Sequence, residues 1–407
     1  MILTVATGMM NAANWLYHAV MSRTLGPVDY GALSALMGLL LVLTVPVNTI
    51  QMGISAFVAL GDANRDEAAL KRTLSRSLRT FLLFGVGAFA ILALLSGWLA
   101  GVLKLRSSVP ILMIGSVLVP WAVLPVFRGF LQGTQRFAAL GASLVTEAVI
   151  KLAAGAVLVT LGLGLGGAAA GVGLGPIVAL GLTVLALRAV FHARADKDDA
   201  VQETDSVQLT TMLRSLVPYA LAIACFTLLT QADVVLVKAL FPPHDAGVYA
   251  AASTGGKIVL NLTGALPMVM LPEIVRRNAA NEDGRSILIR GLVYGGVAGG
   301  AVVILYALAP IHVIRVIFGS QYLESTPFLW PLGLAMLAYE LALFGVYYQL
   351  GIRRINFIWP LAALAAALPV LFWISRDDMQ RVPLVMVGLG VLTFAVAWRG
   401  VFRRTPM

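Results

Sequence analysis

The chain has 407 residues, of which 59% are hydrophobic and 12% are charged, and its formal net charge is +10. A soluble domain averages about 25% charged residues, so the composition excludes a water-soluble globular protein. Apolar runs long enough for a helix to cross a bilayer, about 20 residues, recur from end to end. The sequence therefore predicts an all-α polytopic membrane protein. The basic excess does not indicate a nucleic-acid partner, because membrane proteins collect Lys and Arg in cytoplasmic loops.

The apolar runs predict twelve transmembrane helices, six on either side of one long polar stretch. In chain order they cover about residues 2–21, 31–59, 78–99, 109–129, 138–161 and 167–190, and then about residues 213–236, 246–272, 286–309, 326–349, 355–374 and 382–401. This pattern predicts an N-terminal six-helix bundle at 1–190, a linker at 191–211 and a C-terminal six-helix bundle at 212–407.

The distribution of basic residues predicts the orientation. With twelve spans, 20 of the 29 Lys and Arg residues lie on the side of the two termini and 7 lie on the opposite side, while Lys151 and Lys257 fall inside spans. Because basic loops stay in the cytoplasm, both termini and the linker are predicted to be cytoplasmic. No cleavable signal peptide is predicted, since the first apolar run begins at Met1 without a basic leader, which also fits a true start a few residues upstream.

A short turn after the first predicted span recurs after the seventh. Residues 27–31 (Pro-Val-Asp-Tyr-Gly) and 243–247 (Pro-His-Asp-Ala-Gly) are 216 positions apart and share three residues that favour turns. Residues 110–136 also align without gaps on residues 327–353. A duplicated chain is therefore predicted, with two parallel six-helix repeats around a central cavity, which is the architecture of alternating-access transporters. The turns themselves are interpreted as structural.

Charged residues inside spans are the candidates for substrate binding and ion coupling, because a charge within the bilayer costs about 2.5–3.5 kcal/mol. Glu147 and Lys151 lie four residues apart in the fifth span, where they share a helical face and can pair. Two interpretations stay open. The two residues form a self-neutralised pair that eases insertion, or they line a cavity in which Lys151 meets an anionic substrate and Glu147 serves ion coupling.

Lys257 and Asp233 are the candidates in the eighth and seventh spans. Lys257 has no charged residue three or four positions away, which favours an anion-binding role over snorkelling or an interhelical salt bridge. Asp233 has three open interpretations: it pairs with Lys257, it caps a broken helix, or it binds a coupling cation or proton.

The remaining candidates are one acid and two arginines. Glu340 lies in the middle of the tenth span without a neighbouring base, so we expect it to be protonated unless water or a cation reaches it, and it is a further ion-coupling candidate. Arg23 lies near the outer interface, where it snorkels or contacts substrate. Arg128 lies at the inner edge, where it sets the topology or lines the inner mouth of the cavity. Gly295 and Gly299, on one face of the ninth span, are interpreted as a packing stripe.

No pattern of catalytic residues is present in the sequence. It has no phosphate-binding Gly-Lys-Ser/Thr loop and no helix-borne His pair, so an enzyme is not predicted. The single Cys225 excludes an intrachain disulfide and a Cys-based zinc site, and no metal or cofactor is predicted.

Four stretches of the sequence resemble polysaccharide-biosynthesis flippases, also called Wzx-type transporters: residues 25–31, 128–137, 232–251 and 272–273. The family belongs to a superfamily that also holds multidrug and toxin extruders and lipid II flippases. The resemblance implies translocation of an undecaprenyl-diphosphate-linked oligosaccharide across the bacterial cytoplasmic (inner) membrane for O-antigen, capsule or exopolysaccharide assembly. It further implies contact with membrane lipid, a cavity Lys against the diphosphate, a coupling cation or proton, and a polysaccharide polymerase and glycosyltransferases as partners.

Two other functions compete with this interpretation. A cation- or proton-coupled multidrug extruder of the same superfamily would require a net acidic cavity, whereas the acidic and basic residues inside the spans are nearly balanced. A non-transporting membrane scaffold for a polysaccharide synthesis complex would not need to retain charges in its spans.

Overall fold

The computed structural model describes residues 2–43, 51–55, 58, 67–192, 216–263, 270, 274, 276–277 and 285–399. Within these residues the secondary structure is helical and contains no strand. The predicted all-α class is confirmed. The linker predicted at 191–211 lies almost wholly outside the described residues.

The helices of the first half follow the predicted order of spans. They are α1 (Ile2–Leu43), α2 (Glu67–Val102), α3 (Val109–Gly115), α4 (Leu118–Gly133), α5 (Phe137–Leu158) and α6 (Gly164–His192). The helices of the second half are α7 (Val217–Leu240), α8 (Pro243–Thr263), α9 (Arg285–Leu308), α10 (Pro310–Ile317), α11 (Thr326–Gly351), α12 (Ile358–Ile374) and α13 (Arg381–Trp398).

Glycines with positive φ mark breaks in two long helical stretches. Gly26 interrupts α1 with φ 74° and ψ 171°, directly before Pro27. A π-helical turn, Val159–Leu163, joins α5 to α6, and Gly162 and Gly164 have φ values of 90° and 50°. Glycine adopts such values without a steric penalty because it lacks a Cβ. Each stretch therefore contains two helical segments, as the predicted first and second spans and fifth and sixth spans require.

Eight described stretches are long and apolar enough to cross a membrane. Two of them, 2–43 and 137–187, contain the breaks and each include two predicted spans. α12 is apolar but shorter, and α8 covers most of the predicted eighth span. Together these helices agree with the prediction of about twelve spans in a multi-pass membrane protein.

The chain divides into two compact units whose boundary differs from the predicted one. The first unit contains Met1–Leu25 and Leu43–Ala220, and the second contains Gly26–Val42 and Leu221–Met407. The predicted N-terminal bundle at 1–190 included Gly26–Val42, whereas the structure groups this segment with the second unit. The change of unit coincides with the break at Gly26.

Contacts of the segment Gly26–Val42 explain this grouping. Gly31 packs so closely on α8 that a Cβ on it would lie 2.8 Å from the Cα of Gly247. Tyr30 donates a hydrogen bond from its hydroxyl to Thr254 Oγ1 at 3.2 Å. Gly31 and Gly247 end the two repeated stretches identified in the sequence. Both stretches, 27–31 and 243–247, are helical and form the first residues of their segments, after Gly26 in α1 and at the start of α8.

In the first unit, glycines allow α6 to approach α5 at backbone distance. A Cβ on Gly171 would lie 2.5 Å from the backbone nitrogen of Gly155, and a Cβ on Gly175 would lie 2.5 Å from the carbonyl oxygen of Glu147. In lipid, such close approach is a main source of helix association, because apolar side chains gain little by leaving the hydrocarbon.

In the second unit, α11 is the central helix. It packs against α8, α9 and α13, and its buried side chains run almost from end to end, including Tyr339 and Glu340. The charged residues that the sequence singles out in this unit therefore lie on or next to its most buried helices.

Candidate functional site

A buried ion pair joins α4 and α5 in the first unit. Arg128 donates from Nη2 to Glu147 Oε2 at 2.7 Å and from the same nitrogen to the carbonyl oxygen of Ser143 at 3.1 Å, while its Nε donates to Ser143 Oγ at 3.0 Å. Trp121 Nε1 donates to the other carboxylate oxygen of Glu147 at 2.9 Å. Ser143 and Glu147 are four residues apart on α5, so one face of this helix supplies all the acceptors for Arg128.

This pairing bears on two of the sequence predictions. The hydrogen-bond partners of Glu147 are Arg128 and Trp121 of α4, and Lys151 on its own helix interacts with the carboxylate only electrostatically, without a salt bridge. The side chain of Arg128 is only 10% exposed and forms this pair, and its predicted role in topology or at the inner mouth of the cavity stays a prediction. The planar guanidinium binds several acceptors at once, which the ammonium of Lys151 cannot do with fixed geometry.

Lys151 is held by neutral partners instead. Its Nζ donates to Asn14 Oδ1 of α1 and lies 4.9 Å from the centroid of the Tyr17 ring. Tyr17 is positioned by its hydroxyl, which donates to the carbonyl oxygen of Ala168 at 2.9 Å. In the described part of the chain, Lys151 has no carboxylate within salt-bridge distance; its direct contacts are an amide and an aromatic ring, and Glu147, one helical turn earlier, attracts the ammonium from a longer distance.

The second unit contains a different buried pair, between α7 and α8. Lys257 Nζ donates to Asp233 Oδ1 at 3.0 Å, and the other carboxylate oxygen accepts from Ser253 Oγ at 2.5 Å and from the Tyr249 hydroxyl at 3.2 Å. Asp233 is fully buried and the Lys257 side chain is 12% exposed. Tyr249, Ser253 and Lys257 follow one another at intervals of four residues, so a single face of α8 supplies every donor to Asp233.

The interhelical pair bears on the interpretations of these two residues. Pairing of Asp233 with Lys257 was one of the open alternatives, and the structure contains this contact. An anion that bound Lys257 would have to displace a buried carboxylate, so the roles of both residues in anion binding and ion coupling stay predictions. The absence of a charge nearby on its own helix was a misleading signal, since the partner lies on α7.

Glu340 of α11 is fully buried, and neither carboxyl oxygen has a hydrogen-bond partner among the described residues. The carboxyl faces the glycines of α9: a Cβ on Gly295 would lie 3.0 Å from Oε1, and a Cβ on Gly299 would lie 2.8 Å from Oε2. The glycine stripe predicted for packing therefore also makes the space that the Glu340 side chain occupies.

Arg23 is the remaining candidate of the first unit. Arg23 is exposed and lies on α1, three residues before the break at Gly26. No group of three or more His, Cys, Asp or Glu side chains comes together in the residues that the structure covers. The polar partners that the sequence did not reveal are Asn14, Trp121, Ser143, Tyr249 and Ser253. Of these five, only Tyr249 and Ser253 had a signal in the sequence, because they precede Lys257 at intervals of four residues on α8.

The sequence was compared with models of known protein families. Residues 20–327 match the family described as "Polysaccharide biosynthesis protein". The chain belongs to this family. The match covers well over half of the sequence and confirms the family that the motifs indicated. None of the curated proteins matches the sequence.

Solved structures share the fold at low sequence identity. A lipid II flippase, MurJ, in an inward closed conformation aligns with a TM-score of 0.74 and 11% identity, covering 98% of this chain and 87% of the other. An inward-facing multidrug-resistance MATE family transporter of the MOP superfamily aligns with a TM-score of 0.72 and 15% identity, covering 95% and 92%. A MOP superfamily transporter from Pyrococcus furiosus aligns with a TM-score of 0.59 and 14% identity, covering 98% and 92%. These similarities establish the helical fold of the MOP superfamily.

Proposed function

We propose that this protein is an alternating-access flippase that moves an undecaprenyl-diphosphate-linked oligosaccharide across the bacterial inner membrane. The family supplies the link to polysaccharide biosynthesis, and the fold is shared with a lipid II flippase. The observation that carries the proposal is Lys151, a cation in a membrane-spanning helix whose direct contacts, an amide and an aromatic ring, are neutral.

A diphosphate is the part of such a substrate that a buried cation would recognise. Arg128 and Lys257 each have a carboxylate partner, so either would have to break an ion pair to bind an anion. Lys151 would only exchange one neutral acceptor, Asn14, for a phosphate oxygen. An ammonium suits this exchange because its three donors carry no fixed fork geometry. We therefore assign the diphosphate contact to Lys151 first, with Lys257, Arg128 and the exposed Arg23 as secondary candidates.

The three acids of the candidate set differ in their capacity to couple transport to an ion gradient. Asp233 accepts three hydrogen bonds and Glu147 is bonded at both oxygens. Either acid would have to release a donor before it bound a cation. Glu340 has no donor to release, which makes it the first candidate for ion coupling.

The proposed orientation and partners follow from the same function. Both termini would lie in the cytoplasm, where glycosyltransferases complete the lipid-linked oligosaccharide before it is moved. A polysaccharide polymerase on the opposite side would consume it. The membrane lipid itself would accommodate the undecaprenyl chain, so that only the polar headgroup has to cross within the protein.

Reconstitution tests the proposal directly. Purified protein in proteoliposomes should expose a labelled undecaprenyl-diphosphate-linked oligosaccharide to an external glycan-modifying enzyme faster than protein-free liposomes do. A non-transporting scaffold would give equal rates, which would overturn the proposal. A multidrug extruder would instead accumulate a cationic dye in response to an imposed ion gradient and would leave the lipid-linked sugar in its original leaflet.

A further inference from the structure

We propose that Glu340 is a proton-binding site and that the close packing of α9 on α11 requires the proton to be bound. This inference deepens the proposed function, on which its role in transport rests, because it assigns the coupling ion and the helices that respond to it. The protonation of Glu340 can be measured independently of transport.

The surroundings of Glu340 accommodate the neutral acid and not the carboxylate. Both oxygens are buried without a donor among the described residues, and the facing surface of α9 consists of Gly295 and Gly299. A carboxylate in such a place would lose its hydration and gain no hydrogen bond, whereas a neutral acid loses much less. The packed arrangement therefore favours the protonated form.

Among the described residues of the helices packed around it, none presents a charge that would stabilise an ionised Glu340. On α9, Arg290 and Tyr294 are exposed, away from the buried glycine face. α8 contributes Val259 next to Gly299, and its Lys257 is bonded to Asp233. On α11 the adjacent Tyr339 is buried, and its hydroxyl also lacks a hydrogen-bond partner in the described part of the chain.

Two further helices pack against α11 and lead to the same conclusion. The short helix α10 carries His312 and Arg315, whose side chains are exposed. α13 begins at Arg381 and is followed by Arg399, so its basic residues lie at the ends and not beside the middle of α11. Arg381 is also 3.3 Å from Asp378. Thr393, the buried polar residue of α13 without a hydrogen-bond partner, carries no charge.

A proton suits this site better than a sodium ion. Transporter sodium sites use several oxygens, among them backbone carbonyls of unwound helices. α9 and α11 are continuous helices at this position, so their carbonyls are occupied by helical hydrogen bonds. The neighbouring atoms of the glycine face come from Phe344 and Leu337, which offer no ligand.

The requirement for a proton makes protonation and helix packing thermodynamically linked. If the packed state of α9 on α11 needs protonated Glu340, then proton release must accompany a state in which water or a donor reaches the carboxyl, and the coupling is reciprocal. Raising the pH removes the proton and should shift the equilibrium away from the packed state. Lowering the pH should favour it.

Infrared spectroscopy of the purified protein tests the protonation of Glu340. At neutral pH the wild type should show the carbonyl band of a protonated carboxylic acid, with its isotope shift in D2O, and Glu340→Gln should lack this band. Glu147→Gln is the matched control, because Glu147 accepts hydrogen bonds from Arg128 and Trp121 and its removal should leave the band in place. A band unchanged in Glu340→Gln would overturn the assignment. Glu340→Met serves if the Gln variant is poorly folded.

Hydrogen exchange and transport test the linkage. In the wild type, amide protection of Arg285–Leu308 should fall as the pH rises, and in Glu340→Gln it should not depend on pH. Translocation by the wild type should respond to an imposed pH gradient, and this response should be lost in Glu340→Gln. Equal pH dependence in the two proteins would overturn the linkage. A wild type that shows the band and the exchange effect but moves no lipid-linked oligosaccharide would disprove the proposed function and support the proton site.

Discussion

Among the described residues, each unit contains a largely buried basic–acidic pair between two neighbouring helices, and the further ionisable group that stands out in each unit is opposite in character. In the first unit, the extra group is the cation Lys151, whose partners are an amide and an aromatic ring. In the second unit, it is the acid Glu340, which has no hydrogen-bond partner among the described residues. Buried polar groups in lipid are normally compensated, and neither of these two groups forms an ion pair at salt-bridge distance in the described part of the chain, which is why the proposed roles rest on them.

The pairs themselves differ in how deeply they are buried and in how many donors they use. Asp233 is fully buried and takes its three donors from a single face of α8. Glu147 is 20% exposed and takes its donors from α4. The pair of the second unit should therefore matter more for stability, and the extra cation of the first unit more for ligand binding.

The largest effect is expected from Asp233→Ala. The change would leave the ammonium of Lys257 buried without its counterion, and breaking a buried pair in this way costs about 3–5 kcal/mol. We expect a large loss of folded protein, measured as the midpoint of thermal unfolding and the monodisperse yield in detergent.

A double variant separates this effect from a simple loss of packing. Asp233→Asn combined with Lys257→Met removes both charges and should recover much of the stability that either single change loses, as a double-mutant cycle would report. If the losses of the two single variants simply add, the pair is not energetically coupled and the comparison between the units fails.

The fold could be predicted from the sequence, whereas the contacts of its charged residues could not. The membrane class, the helical fold and the order of spans follow from hydrophobic runs, because a helix in lipid must be about 20 apolar residues long wherever it packs. The correct partner of Glu147 did not follow, because the four-residue spacing to Lys151 describes only one helix. Arg128 reaches Glu147 through the packing of α4 on α5, which the sequence does not encode as a local pattern.

The boundary between the two compact units differs from the predicted domain boundary for a related reason. Residues 26–42 follow the first span without a polar linker, so hydropathy assigns them to the N-terminal bundle. Their grouping with the second unit depends on the close contact of Gly31 with Gly247. The two repeated turns were visible in the sequence, but the contact between them was not.

A smaller loss of stability is expected from Gly171→Ala in α6. The added Cβ would lie 2.5 Å from the backbone nitrogen of Gly155, and overpacking a tight interface typically costs about 1–3 kcal/mol. Gly181→Ala on the same helix is the control, because no atom lies within 4 Å of its added Cβ. The control should unfold at the same temperature or higher, since Ala favours helix by about 1 kcal/mol. Equal destabilisation by both changes would mean that helix spacing in the first unit does not depend on Gly171.

Lys151→Met tests the assignment of the extra cation to ligand binding. We expect the affinity for undecaprenyl diphosphate to fall about tenfold, equivalent to about 1.4 kcal/mol, with a change in stability below that of Asp233→Ala. Binding can be measured by native mass spectrometry, with undecaprenol as the uncharged comparison. Undecaprenol binding should not change.

Lys257→Met provides the contrast for this measurement. Its main effect should be on stability, because it leaves Asp233 with two neutral donors. If Lys257→Met weakens diphosphate binding and Lys151→Met does not, the roles of the two lysines are reversed and the second unit holds the anion.

The smallest effect is expected from Glu324→Gln, which removes the carboxylate of a His–Glu contact exposed to water. Glu324 Oε2 lies 2.9 Å from His244 Nε2, and the two side chains are 72% and 50% exposed. Exposed pairs contribute about 0.2–1 kcal/mol and are weakened by salt, so we expect the unfolding midpoint to shift little and the shift to diminish at high ionic strength. The same measurement on Asp233→Asn should be nearly independent of salt, because that pair is shielded from ions. The opposite result would be a shift for Glu324→Gln that is as large, and as insensitive to salt, as the shift for Asp233→Asn. It would show that burial does not determine how strongly the charged contacts of this protein stabilise it. The assignment of stability to Asp233 and of ligand binding to Lys151 would then lose its physical basis.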